Sequence, residues 1–226
     1  IGGIAQILAT LCVIALFKQR NFAVGIAFKK TETLQIAVIS LLILGEKVSI
    51  NALCAICIGF VGLVLLSKQP LKRSFLEEGV FSRSVFLGLL SGFLFAISGV
   101  YYRASTLNVL DESSINRAIF TLTFVIVFQV ISMGGWLLLF NRPELKAVWK
   151  VRSVAIWVGL TSLAGSFCWF WAFSLVNAAL VKAVGQIELL FSILASIVLF
   201  KEKITGRELV GIFTVMLSLI GVIALG

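Results

Sequence analysis

Eight apolar runs, roughly 1–17, 22–44, 50–67, 84–103, 115–140, 153–173, 177–200 and 208–226, follow one another along the chain. Runs of this kind satisfy their backbone in a bilayer as helices, because lipid offers no partner for an open peptide group. The chain therefore reads as all-α, a polytopic membrane helix bundle. With 60% hydrophobic residues, 13% charged residues and a mean hydropathy of +1.12, it lacks the polar surface of a water-soluble domain. Its two prolines, Pro70 and Pro143, both lie in polar connectors, which predicts spans uninterrupted by proline kinks.

Against that apolar background the stretch 177–203 stands out, because Glu188 lies about eleven residues, or roughly 16 Å of helix, from either end of its run. A glutamate is too short to reach the surface from there, and an ionisable group at membrane depth is a functional candidate by default. The pattern occurs twice. Residues 17–56 match 173–212 without a gap, at an offset of 156 and at eleven of forty columns. Among the matches are Phe17/Phe173, Asn21/Asn177, Ala27/Ala183, Glu32/Glu188, Ser40/Ser196, Glu46/Glu202 and Lys47/Lys203.

The matched runs are the second and the seventh. They are five crossings apart, and an odd number reverses direction, so the repeats are expected to be inverted, with a site near the midplane at their interface. The longest polar connector, 68–83, divides the chain into a unit at 1–67 and a unit at 84–226. If the repeat unit has five helices, the first unit contains the last three, and two further helices are expected ahead of them.

The formal charge of +9 is distributed as in a membrane protein rather than a nucleic-acid binder. Thirteen basic residues fall in the connectors after the first, third, fifth and seventh runs, and three on the other side (Lys47, Arg103, Arg117). This bias places 68–83 in the cytoplasm. Cys12, Cys54, Cys57 and Cys168 all lie in apolar runs, and with no histidine in the chain Cys54 and Cys57 read as packing residues rather than as metal ligands. No cofactor or metal is implied. Ser84, Gly88, Gly92 and Ala96 form a small-residue stripe that permits close helix packing within the chain or in a homodimer. Trp149, Trp157, Tyr101 and Tyr102 suit an interfacial belt, and Trp169 and Trp171 suit a lipid or packing role in preference to stacking on a ligand.

The candidate site takes its residues from the two matched runs: Lys29, Lys30, Glu32 and Gln35 from the second, and Lys182, Gln186 and Glu188 from the seventh. Lipid cannot satisfy these groups, so they must face one another, water or a solute. Burial disfavours each charged form and pairing favours both. Two mechanisms follow: a glutamate that carries a proton one way as solute crosses the other way, or permanent Glu–Lys pairs that bind a zwitterionic solute. The lysines could instead snorkel to the nearer surface. Glu46-Lys47 and Glu202-Lys203 read as hairpin-capping charges at the bilayer surface.

A long helix ending in Leu-Gly-Glu-Lys-Val-Ser at 44–49, an apolar helix with Gly59 and Gly62, and the counterpart Phe-Lys-Glu-Lys-Ile-Thr at 200–205 together resemble the EamA-type branch of the drug/metabolite transporter superfamily. The resemblance implies two inverted five-helix repeats in a bacterial inner membrane, exporting small metabolites, amino acids or drugs. Two departures concern the residues: the proline that many members carry near Thr33 and Leu189 is absent, and Gly45 is matched by Lys201. A third concerns topology, because members commonly keep both termini cytoplasmic, whereas the basic count puts the C-terminus outside. The partners expected are a small-molecule solute, the lipid bilayer and a coupling proton. The competing reading is a lipid-handling or structural membrane subunit. An intramembrane enzyme has little to build with, since Asp111 is the only aspartate and histidine is absent.

Overall fold

A computed structural model describes residues 1–19, 22–66, 83–200 and 205–225. They form eleven helices: α1 (Gly2–Phe17), α2 (Phe22–Lys29), α3 (Glu32–Leu44), α4 (Ile50–Leu66), α5 (Arg83–Asn108), α6 (Ser114–Phe140), α7 (Arg142–Lys150), α8 (Arg152–Leu175), α9 (Ala178–Val184), α10 (Ile187–Phe200) and α11 (Gly206–Leu225). Helices α5, α6, α8 and α11 are long and apolar enough to cross a bilayer, and α1 and α4 are shorter apolar helices. The chain is a polytopic membrane helix bundle, as its hydropathy requires. The connector 68–82, Glu202 and Lys203 lie outside the described residues.

Two of the eight expected spans differ from the expectation. The second is divided into α2 and α3 by a turn at Lys30-Thr31, and the seventh into α9 and α10 by a turn at Gly185-Gln186. Proline, absent from both, is not the cause. At each turn the hydrogen bonding tightens from four residues to three, with Thr31 N to Phe28 O at 3.1 Å and Gln186 N to Ala183 O at 3.2 Å. A third difference is α7, which starts with Pro143 in its first turn and has no buried residue; its basic side chains and Trp149 suit the membrane interface.

Helix α5 is the central post, packed against α1, α2, α3 and α8. The small-residue stripe brings α2 onto it. A Cβ added to Gly88 would collide with the backbone of Gly25, and one added to Gly92 would lie 2.8 Å from Lys29 O. The stripe therefore serves intramolecular packing, and the turn after Lys29 is held against α5. Side chains of α3, α5, α6, α8 and α9 meet in one cluster that includes Ile36, Val100, Ala118 and Phe173. Tyr102 is buried in it, outside any interfacial belt, with its hydroxyl donating to Gln6 Oε1 at 2.5 Å; Gln129 Nε2 donates to the same oxygen at 2.7 Å. Such side-chain bonds between helices hold bundles together in lipid. Trp149 and Trp157 are exposed, as a belt requires, and Cys54 and Cys57 are exposed rather than packed.

Among the described residues the largest helix interface is α4 against α11. Gly59 faces Ser218, Gly62 faces Val215 and Leu66 faces Gly211, so residue numbers climb along one helix as they fall along the other. The two helices are antiparallel. Ser218 Oγ donates to Ala55 O at 2.6 Å and closes this contact.

Candidate functional site

The two turns lie opposite each other across the contact between α3 and α9. A cleft of about 190 Å³ opens between them, lined by Lys29, Lys30, Glu32 and Thr33 from one turn, Lys182, Gly185, Gln186 and Glu188 from the other, and Trp169 of α8. Six of the seven predicted residues therefore share one cavity. The seventh, Gln35, does not line it. Its Nε2 donates to Thr31 Oγ1 at 2.9 Å, and Thr31 Oγ1 in turn donates to Phe28 O at 2.7 Å, so Gln35 steadies the first turn from behind.

Local electrostatics favour this sequence at these turns. Lys29 and Lys182 occupy the last turns of α2 and α9, and Glu32 and Glu188 the first turns of α3 and α10. A cation at a helix C-terminus and an anion at an N-terminus are both stabilised by the helix dipole. Backbone groups freed by the first turn also find partners, since Thr33 Oγ1 donates to Lys30 O at 3.0 Å.

The ion pairs run crosswise. Lys30 Nζ lies 2.8 Å from Glu188 Oε1, and Lys182 Nζ lies 2.7 Å from Glu32 Oε1. Each glutamate thus takes its close partner from the other broken span. The Lys182–Glu32 approach is off the hydrogen-bond direction, leaving Oε1 with a charge contact but no aligned hydrogen bond. Lys29 Nζ is 3.8 Å from Glu32 Oε2 and 4.6 Å above the Phe95 ring, and Lys182 Nζ is 4.7 Å above the Trp169 ring. A third crosswise contact is neutral: Gln186 Nε2 donates to Thr33 Oγ1 at 2.9 Å. All three amines turn into the cleft instead of snorkelling to a surface.

Two sequence expectations need correction here. Glu188 was placed deep in an apolar helix, but it stands at a helix break with its side chain 61% exposed, against 12% for Glu32. Hydropathy counts residues from the ends of a run and is blind to a turn in the middle. Trp169, for which the sequence favours a lipid or packing role over ligand stacking, is a wall of the cleft. The signal that could have found it is its sequence neighbourhood: it lies within one turn of Phe173, the first residue of α8 in the repeat match.

Glu46 also departs from its expected role as a surface cap. It accepts from Arg103 Nε at 2.9 Å and from Ser40 Oγ at 3.0 Å, with both ionic side chains largely buried. Arg103 donates further to Phe173 O at 2.7 Å. The α3–α4 connection is thereby tied to α5 and α8, beside Gly45, whose left-handed φ of 68° ends α3. Arg117, too, belongs to a helix rather than a connector, donating to Ser174 O at 3.3 Å.

The fold and the cleft together define a class: a helical membrane protein with a charged cleft between two interrupted helices. The sequence profile of the EamA-like transporter family matches residues 82–224. The chain belongs to that family, a branch of the drug/metabolite transporter superfamily. A solved structure described only as "Crystal structure of protein" superposes with a TM-score of 0.67 at 16% identity, the match covering 100% of this chain and 76% of the other. At that identity the likeness concerns the fold alone. No curated protein matches.

Proposed function

We propose that this chain is a secondary transporter that exports small metabolites, amino acids or drugs through the cleft between its broken spans, by proton-coupled alternating access in the bacterial inner membrane. The observation that carries the reading is the crosswise pairing of Glu32 with Lys182 and of Glu188 with Lys30. Opening either side of the cleft separates the turns and breaks both pairs. A solute or a proton that replaces a lost partner therefore biases the two states, as a transporter requires.

The inverted-repeat reading, with units at 1–67 and 84–226 joined by 68–83, is supported by two further facts. The two turns fall within one residue of equivalent positions under the 156-residue offset. In the antiparallel contact, Gly59 faces Ser218, the counterpart of Gly62, while Gly62 faces Val215, the counterpart of Gly59. That reciprocity is the mark of a two-fold relation. The basic-residue bias supports the connector 68–83 facing the cytoplasm.

Solute-driven proton movement in proteoliposomes loaded with a pH dye tests the coupling. Glu188→Gln should abolish it while the variant still elutes as a monodisperse peak, because the amide keeps the shape but cannot titrate. Wild-type coupling in a folded Glu32→Gln/Glu188→Gln protein would rule these residues out as the proton site.

A further inference from the structure

Among the described residues the cleft holds three amines and two carboxylates, and the pairing shows which amine is in excess. Glu188 is matched by Lys30 and Glu32 by Lys182, each at close to contact distance. Lys29 is held more loosely, with the far oxygen of Glu32 3.8 Å away and the face of Phe95 beneath it. An ammonium in a membrane interior is costly without an anion of its own. The ring face supplies part of the compensation that a full counter-charge would give.

A second observation concerns hydrogen bonding. Gln186 lines the same cleft, and its Nε2 is committed to Thr33, yet its Oε1 is buried without a hydrogen-bond partner. A buried acceptor left unmade costs free energy, and a turn of the Gln186 side chain into the cleft would let a solute hydroxyl or amide N–H satisfy it. The third wall is the Trp169 ring. At about 190 Å³ the cleft is smaller than the roughly 300–1,000 Å³ of drug-sized sites.

We infer that the solute is a small organic monoanion, its carboxylate taken by Lys29, a hydroxyl or amide group donating to Gln186 Oε1, and its apolar side against Trp169. This rests on the reading of the cleft as the solute site. An anion makes the site neutral when loaded. A cation would add to the excess, and a zwitterion would leave it unchanged.

Four probes of one skeleton separate these cases: mandelate, mandelamide, 2-amino-1-phenylethanol and phenylglycine, titrated calorimetrically into the purified protein. Mandelate should bind at least about tenfold more tightly than the other three, the size of one charge-assisted contact. Lys29→Gln should abolish that preference without weakening mandelamide, and Lys29→Arg should retain it. Binding of none of the four, equal binding, a preference for the amine or the zwitterion, or an undiminished preference in Lys29→Gln would each overturn the inference. Counterflow in proteoliposomes keeps it separate from the transport reading. Mandelate-selective binding with no flux of any solute removes transport and leaves the anion site, whereas flux of a neutral or cationic solute without anion preference does the reverse.

Discussion

The two broken spans carry the same plan and differ in how deeply it is set. In the first, Glu32 is 12% exposed, held between Lys182 and Lys29, and the turn behind it is fastened by Thr31, Thr33 and Gln35. In the second, Glu188 is 61% exposed, and Gly185 stands where the repeat offset puts Lys29. Burial decides what a charge can do. A carboxylate enclosed between two amines ties its surroundings together, whereas one open to the cleft lies within reach of a solute. We therefore propose the first span as the fixed half of the site and the second as the responsive half.

The largest expected effect comes from removing the fixed charge. Glu32→Gln leaves two enclosed amines without a carboxylate and should cost about 3–5 kcal/mol, the scale for breaking a buried pair. Glu188→Gln breaks an exposed pair and should cost at most about 1 kcal/mol. Denaturation of the two variants in detergent measures the gap directly. Equal losses would show that the two glutamates are held alike.

Next in size is Gly185→Ala, where an added Cβ would run into the Trp169 ring. Overpacking of this kind costs about 1–3 kcal/mol. Because the clash pushes a wall of the cleft, solute flux should fall by more than the loss of folded protein accounts for. Flux that follows folded protein one to one would detach Trp169 from the site. Trp169→Ala in the Gly185→Ala background should relieve the strain, visible as a recovery of thermal stability.

The smallest effect is expected where the first span ends. Gly45→Ala places a side chain at φ 68° with nothing within 4 Å to obstruct it, so the cost is backbone strain alone, about 1 kcal/mol. Solute flux per folded molecule should be unchanged. A loss of flux at unchanged stability would mean that the Glu46–Arg103 tie beside it takes part in the transport cycle, and would weaken the view that the site is confined to the two turns.

Much of this was legible in the order of residues. Hydropathy alone marked the apolar runs, and four of the described helices are long and apolar enough to cross a bilayer, because apolar length is a local property. The stripe from Ser84 to Ala96 announced a close helix contact, because only small residues allow one. Glu32 and Glu188 were legible as a pair because the repeat is written in the sequence, and six of the seven residues named from it line one cleft. What remained hidden was set by contacts between residues 150 or more positions apart. The pairing of Lys30 with Glu188, Lys182 with Glu32 and Gln186 with Thr33 depends on how α3 and α9 face each other, and no local pattern encodes that. The two helix breaks escaped for the same reason. Without proline, a turn inside an apolar run has no strong local signature, and it persists where a polar side chain satisfies a group that it frees, as Thr33 does for the Lys30 carbonyl.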